Sequence, residues 1–383
     1  MLMLKELLKY MIVYYNKESK KAFLLKGLVF MKKVLHIIAS DKFTIGYIKY
    51  MQNEIKDVDH TFAFKKTKYV VNIDESITNY SIIVNDVKEI FDNKQLLNNA
   101  DKIIISGLFG LDKYLFFLPN RLLKKMYFQF WGGDFYSYRD TNFISKKHIH
   151  KIMLHSCIKR CGGILNLIAG DYDELSKIFP NNNNHYVVIM PENKDISNIY
   201  EKYSLKNGKK GRILLGNSAT KENGHLEILK KLEHLKNDDI EIICPLSYGN
   251  SEYANEVIDV GKKLFNNKFI PITDFMNYDD YFKLLSTCSI AIFNNNRQQA
   301  MGNINAMLTF GKKVYIRTTT PMWKEYESYS IIVHNIDNLD KISYNNLIEF
   351  NKKIAVSNHN NMINREKSRY DGLKKVLYKI INS

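Results

Sequence analysis

This sequence predicts two α/β domains, each a Rossmann-like parallel sheet covered by helices, facing each other across a cleft. Three observations carry that prediction. Short apolar runs alternate with stretches of helical spacing along nearly the whole chain, the signature of parallel strands with helices on both faces. The alternation is broken once, by the polar, lysine-rich stretch 193–210, which reads as a linker. The chain has 383 residues, 45% of them hydrophobic, enough for two separate cores.

Taken in order, residues 1–30 stand apart. They are apolar and basic, with lysines at 5, 9, 17, 20, 21 and 26. They read either as a basic amphipathic segment lying in a membrane interface or as an extension upstream of a start at Met31. The first domain takes 31–195. Its first strand, 34–39, ends at Ser40-Asp41. A helix over 45–55, strands at 60–64 and 70–73, and a helix over 87–97 follow. Strand 102–106 ends in Gly107, and strand 127–131 ends in Gly132-Gly133-Asp134. A helix over 149–160 is stopped by Gly162-Gly163. Strand 164–169, a short helix after Asp171 and strand 186–190 complete the domain.

The second domain takes 205–383. Strand 212–215 runs into Gly216-Asn217-Ser218, and a helix over 225–235 follows. Strand 240–244 turns at Pro245-Leu246-Ser247-Tyr248 into a helix over 251–265. Strand 269–272 and a helix over 278–286 lead to the buried strand 289–293. Residues 294–299 form a polar turn whose one cation is Arg297. Helical spacing runs from 298 to 310, with Met301, Ile304, Met307 and Leu308 on one face, and Gly311 stops it. Strand 314–316, a short helix at 323–326, strand 330–334 and a helix over 339–355 follow. A last basic helix, 365–381, is placed to pack back onto the first domain.

Composition narrows the function. The net charge is +16, which suits nucleic acid or an anionic membrane surface. The lysines are dispersed and no nucleic-acid motif is present, so no nucleic-acid partner is expected. The membrane surface is favoured, alongside the Lys, Asn, Ile and Tyr bias of A+T-rich coding. No apolar run reaches the length of a membrane span, so the expected association is peripheral. Four cysteines without a secretory signal point to a reducing compartment. Cys157 and Cys161 lie one helical turn apart near His148, His150 and His155; a half-buried helix face explains them better than zinc. Neither a G-x-G-x-x-G after the first strand nor a G-x-x-x-x-G-K-[ST] loop occurs, so neither a dinucleotide cofactor nor a P-loop is expected.

The candidate site residues stand at strand ends. In open parallel sheets ligands bind outside the carboxyl ends, against helix N-termini. Arg297, Gln298, Gly302 and Asn303 surround the turn and helix start, where free backbone N–H groups favour a phosphate. Arg297 adds a charge that cannot be lost. Gly216, Asn217, Ser218 and Tyr248 would complete a diphosphate and nucleoside pocket. His225 either donates to a phosphate or caps and packs. In the first domain, Trp131 and Gly133 border the cleft. Asp134 either meets a sugar hydroxyl as base or caps the next segment. Asp41, with Ser40 beside it, is the rival base under the same alternative. Trp323 reads as a core anchor.

At this point the segments become recognisable. ILLGNSATKENGHLEIL, CPLSYGNSEYANEVIDVGKKLF and YDDYFKLLSTCSIAIFNNNRQQAMGNI, together with FWGGDFY and TTTPMW, resemble the 4-acetamido-4,6-dideoxygalactose transferases of glycosyltransferase family 56. The resemblance covers most of 35–323 and is strongest from 213 to 323. It implies the GT-B fold, with the nucleotide sugar held mainly by the C-terminal domain. It also implies transfer of N-acetylfucosamine from a TDP-sugar to a lipid-linked saccharide, at the cytoplasmic face of a bacterial inner membrane. No metal is implied, and no D-x-D metal motif is read in the chain. Two stretches depart from the family pattern: Ala300-Met301-Gly302-Asn303 is less glycine-rich, and Asn294-Asn295-Asn296 is unusual. The N-terminal half, expected to read the acceptor, diverges more. A UDP-sugar transferase and a non-catalytic membrane or polysaccharide adaptor are the alternatives.

Overall fold

The computed structural model describes residues 31–38, 41, 43–67, 80–108, 110–139, 145–191, 200–206 and 208–383. The 1–30 segment, Ser40 and the expected strand at 70–73 lie outside them. The described chain builds two all-parallel sheets. The first has seven strands in the order β3-β2-β1-β4-β5-β6-β7. These are β1 (Lys32–Ile38), β2 (Val58–Lys65), β3 (Ser81–Val84), β4 (Lys102–Ser106), β5 (Met126–Phe130), β6 (Gly163–Asn166) and β7 (His185–Val187). The second has six strands in the order β10-β9-β8-β11-β12-β13. They are β8 (Lys209–Leu215), β9 (Glu241–Pro245), β10 (Phe269–Ile272), β11 (Cys288–Phe293), β12 (Lys313–Ile316) and β13 (His334–Asn335).

Strands β1, β4, β5 and β6 are apolar nearly end to end because both of their faces are covered. Pro271 is tolerated because β10 is an edge strand, paired only with β9, where a missing donor breaks no ladder. Strand order reverses between β1 and β4 in one sheet and between β8 and β11 in the other. Those two switch points are where such sheets open a crevice at their carboxyl ends.

Several element boundaries differ from the sequence reading, and local hydrogen bonds explain most of them. The expected helix over 87–97 is two helices, Lys88–Asp92 and Lys94–Asn99. Asn93 breaks it by accepting the Leu96 N–H at 3.0 Å, a cap that competes with continuation. The helix expected from Gln298 begins at Met301, because Ala300 adopts a left-handed conformation with φ of 60°. The helices expected over 339–355 and 365–381 are cut differently. Tyr344–Ile348 is short, and one 30-residue helix runs from Lys352 to Ile381. Its cap is Asn351, which accepts the Ile354 N–H.

That long helix joins the two halves. Near its start it packs on the second sheet's layer: Asn358 exchanges two 2.8 Å hydrogen bonds with the Ile332 backbone, and Met362 enters that core. Its last turns place Leu373, Leu377, Ile380 and Ile381 in the first domain's core with Val34, Tyr47 and Phe62. In the reverse sense, Ile168, just beyond β6, is buried in the second domain's core.

Candidate active site

The carboxyl ends of the two sheets face each other around a cavity of about 470 Å³, within the usual range for a small-molecule site. Its second-domain wall is built from the ends of four strands. Asn217 follows β8, Pro245 ends β9 with Ser247 and Tyr248 just beyond it, Asp274, Phe275, Met276 and Tyr278 follow β10, and Arg297 to Asn303 follow β11. The helix Met301–Thr309 points its N-terminus at the cavity, and its first N–H groups have no partners within the helix. A Cβ added at Gly302 would meet nothing within 4 Å, so the space in front of that terminus is open.

Arg297 is half-buried. Its Nη1 donates to the Gln298 carbonyl at 3.1 Å, and among the described residues no carboxylate pairs with it. Asn217 donates from Nδ2 to the Tyr248 hydroxyl at 2.8 Å, while its Oδ1 is buried with no partner. Gln299 donates to Thr220 Oγ1 at 3.2 Å, and its Oε1 is likewise buried and unpartnered. A cation and two orphaned acceptors therefore converge on one wall, which is what a ligand with both anionic and hydroxyl or N–H groups requires. Asn303 is held by donating to the Tyr281 hydroxyl at 2.8 Å.

The first-domain wall contains Phe43, Trp131, Gly132 and Gly133. Trp131 stacks on Phe43 with ring centroids 5.6 Å apart and donates from Nε1 to Ser106 Oγ at 3.1 Å. At Gly132 the domains touch. A Cβ there would come within 2.9 Å of the Gln298 carbonyl and side-chain oxygens, so glycine lets the Arg297 loop seat against β5's end. The floor is closed by the long helix through Glu366 and Arg369. Arg369 donates to the Leu167 carbonyl and, at 3.3 Å, to that of Val188.

Other sequence-predicted residues do not line the cavity. Asp134 is buried, and its Oδ2 accepts the backbone N–H groups of Trp131 and Leu108, both at 3.0 Å. Burial pushes its carboxyl up to about 7, against those two hydrogen bonds. His225 is fully buried beneath Gly216, with Nδ1 3.3 Å from the Tyr253 hydroxyl, and burial pushes it down to about 4. Gly216 has φ of +68°, and a Cβ on it would lie 2.3 Å from His225 Nε2. Ser218 is buried and bonded to Asn223. Asp41 is half-buried; its Oδ1 accepts the Phe43 N–H at 2.8 Å. Trp323 packs against the second-domain core.

Sequence reasoning missed Phe275 and Tyr278, although they follow a strand end as Asn217 and Tyr248 do. It also missed Glu366 and Arg369, which reach the cavity from a distant helix that no local pattern connects to it. Contrary to the expectation from sequence, the chain contains two D-x-D triplets, Asp57-Val58-Asp59 and Asp171-Tyr172-Asp173. Asp59 opens β2 at the end away from the cleft. Asp171 and Asp173 lie in the helix Ala169–Ile178, where residues two apart face different ways. Asp171 is buried and accepts from the Tyr136 hydroxyl at 3.0 Å, while Asp173 is exposed. Neither triplet presents a carboxylate pair to the cavity.

Comparison with known proteins gives the following. The family model described as 4-alpha-L-fucosyltransferase glycosyl transferase group 56 matches residues 31–379. Among solved structures, a glycosyltransferase from Rickettsia africae is similar at 15% identity and a TM-score of 0.61, covering 92% of this chain and 98% of that one. Anabaena HepE in complex with UDP is similar at 11% identity and a TM-score of 0.63, covering 92% and 100%. An α,α-trehalose 6-phosphate synthase from Burkholderia multivorans reaches a TM-score of 0.59 at 7% identity, covering 92% and 96%. At these identities the likeness shows the fold, which is GT-B.

Proposed function

We propose a donor and an acceptor for this protein from one premise: the chain belongs to the 4-alpha-L-fucosyltransferase family, glycosyl transferase group 56. It is accordingly a glycosyltransferase that uses a nucleotide sugar, and the non-catalytic adaptor alternative falls. The proposed donor is a TDP-linked deoxy-amino sugar of the N-acetylfucosamine type. The proposed acceptor is a lipid-linked saccharide presented at the inner-membrane surface for cell-surface polysaccharide synthesis. The described residues include no helix long and apolar enough to cross a membrane, so the proposed membrane contact is peripheral.

The observation that carries the donor assignment is the convergence of Arg297 and the N-terminus of Met301–Thr309 on one open wall. A diphosphate placed there meets a fixed cation and unpartnered N–H groups. When the sugar–phosphate bond breaks, negative charge builds on the departing diphosphate. Donors already aimed at it then interact more strongly than in the ground state. Tyr248 offers a face for the base, steadied by Asn217, and the orphaned oxygens of Asn217 and Gln299 are positioned to accept from ligand N–H or hydroxyl groups. Trp131, Phe43 and the glycine pair bound the acceptor side. Of the two candidate carboxylates, we assign Asp134 to support of the Trp131 turn. Asp41 does not line the cavity itself, but it is half-exposed and bonded to the N–H of Phe43, which does, and it is the proposed proton acceptor. The domain assignment that goes with this is an acceptor domain over 31–195 and a donor domain over 205–383, with the last turns of the donor domain's final helix packed into the acceptor domain's core.

A second reading, a UDP-sugar donor, is favoured by the similar HepE structure, which holds UDP. Thermal unfolding with added nucleotides separates the two. TDP at about a hundred times its dissociation constant should stabilise the fold by about 2.7 kcal/mol, with UDP weaker at equal concentration. A UDP preference would transfer the assignment to the second reading. Incubation with TDP-sugar and membrane extract, followed by mass analysis, then identifies the acceptor.

A further inference from the structure

We propose that one face of the first domain docks on an anionic lipid bilayer. The face is made by the helix Lys146–Arg160 and the elbow between the helices Asp112–Leu115 and Asn120–Leu123. It holds three of the most exposed large apolar side chains among the described residues: Phe117 at the elbow is 78% exposed, Ile149 is 60% and Ile152 is 55%. Single exposed apolar residues need no explanation, but a group of them does. Ile149 and Ile152 are three residues apart, so they share the helix's outer stripe. That stripe lies opposite Leu154, Cys157 and Ile158, which are buried.

The elbow is fixed along the flank of the same helix. His150 Nδ1 lies 2.6 Å from Asp112 Oδ2, and Arg160 donates to the Phe116 carbonyl at 3.1 Å and to Asn120 Oδ1 at 3.4 Å. The elbow and the helix are therefore held as one body and not as separate loops.

Charge identifies the occupant. The helix carries Lys146, Lys159 and Arg160 beside that stripe and no carboxylate, while its other two lysines, Lys147 and Lys151, turn to Tyr138 on the inner flank. The elbow exposes Lys113, Arg121 and Lys124, and its one acid, Asp112, is buried against His150. The helix Ser251–Phe265 of the second domain shows what an ordinary solvated face looks like here. It exposes Glu252, Glu256 and Asp259 together with Lys262 and Lys263. Apolar tips ringed by cations suit an anionic interface, where the tips enter the acyl boundary and the cations stay among headgroups. A second copy of this face would meet like charge. Residues 1–30, with six lysines named above against Glu6 and Glu18, are also net positive.

The helix Lys146–Arg160 starts on the cleft side of the domain, after Gly132–Tyr136 at the carboxyl end of β5, and runs toward the opposite end, where Arg160 meets the elbow. A bilayer on this face would lie along the first domain, which carries Trp131 and Phe43. Its link to a lipid-linked acceptor rests on the acceptor reading above, whereas the docking itself rests on exposure and charge.

The test uses the full chain and synthetic vesicles without any acceptor lipid: phosphatidylcholine alone, or phosphatidylcholine mixed with phosphatidylglycerol. The protein should sediment with the anionic vesicles, be released by high salt and bind neutral ones weakly. Two variants, Phe117→Ser/Ile149→Ser/Ile152→Ser and Lys146→Glu/Lys159→Glu, should each lose roughly tenfold or more in partitioning. Both should keep the parent's unfolding temperature and its response to nucleotide, which reports the donor site separately. Folded variants that partition like the parent overturn the proposal. So does loss of binding in Lys5→Glu/Lys9→Glu/Lys17→Glu alone, which gives the role to the N-terminal segment. A dimer of the parent that the triple-serine variant loses assigns the face to a second copy and overturns it as well.

Discussion

Arg297 reaches the cleft from a loop that rests on Gly132 of the other domain, and its hydrogen bond goes to its neighbour's carbonyl. It therefore braces little, and its expected role is to meet charge on the leaving diphosphate. Arg297→Ala should lower turnover about a hundredfold or more, as removal of one transition-state donor does elsewhere. Arg297→Lys, which keeps the charge but loses the planar fork, should fall between. Unfolding temperature should change little in both; normal turnover in the alanine variant would remove the residue from the mechanism. Asp134 makes the opposite expectation. Its Oδ2 serves two backbone N–H groups, and asparagine keeps an oxygen for them. Asp134→Asn should hold turnover within a few-fold of the parent, whereas a base would lose it by about a hundredfold or more. The pH dependence checks this independently. The folded pKa is raised to about 7, so the ionisable parent loses stability as pH rises from about 4 through 7. The asparagine variant does not, so denaturant midpoints should diverge in its favour over that window and run parallel above it.

At the scale of elements, the strands were the legible part. β4, β10 and the helix Ser251–Phe265 lie where apolar spacing puts them, because that spacing is a direct image of burial. Boundaries set by one side-chain hydrogen bond were not legible. Asn93 and Asn351 are each one among many asparagines, and nothing nearby marks them as caps. Helices as short as Asp112–Leu115 carry no period at all. Which way a strand-end residue turns was equally hidden: Asn217 borders the cavity, while Ser218 and His225 on the same loop and helix point inward. The long helix Lys352–Ile381 went unrecognised as one piece because polar residues interrupt its pattern at the domain crossing. There Arg365, fully buried, donates from Nη2 to Glu325 at 2.7 Å and from Nη1 to Glu366 at 2.8 Å. Removing Glu325 strips Arg365 of its buried partner and leaves it only the half-exposed Glu366. Glu325→Ala should therefore cost about 1–3 kcal/mol, measured by equilibrium denaturation. A loss under about 1 kcal/mol would mean that water reaches the pair.

For the whole molecule, the two sheets bring their switch points together, so neither half alone encloses the 470 Å³ cavity. On the proposed donor placement, the charge to be neutralised in that space would be met by the protein's own groups, Arg297 and the helix terminus. Neither D-x-D triplet presents a carboxylate pair to the cavity, and among the described residues no cluster of three or more His, Cys, Asp or Glu could hold a metal ion. Transfer should therefore proceed at full rate in a chelator. A loss in chelator that magnesium or manganese restores would show that a cation joins the site through donor phosphate oxygens.

The long helix also sets an order of events during synthesis. Leu373, Leu377, Ile380 and Ile381 fill a slot in the first domain's core, yet they leave the ribosome after every strand of both sheets. Domains that emerge first usually fold first, but the core around Tyr47 and Phe62 is complete only once the final helix has been added. A nascent chain halted anywhere in the second sheet carries that slot unfilled. Quality control that reads exposed apolar surface would thus sense completion of the second domain through the unfinished state of the first.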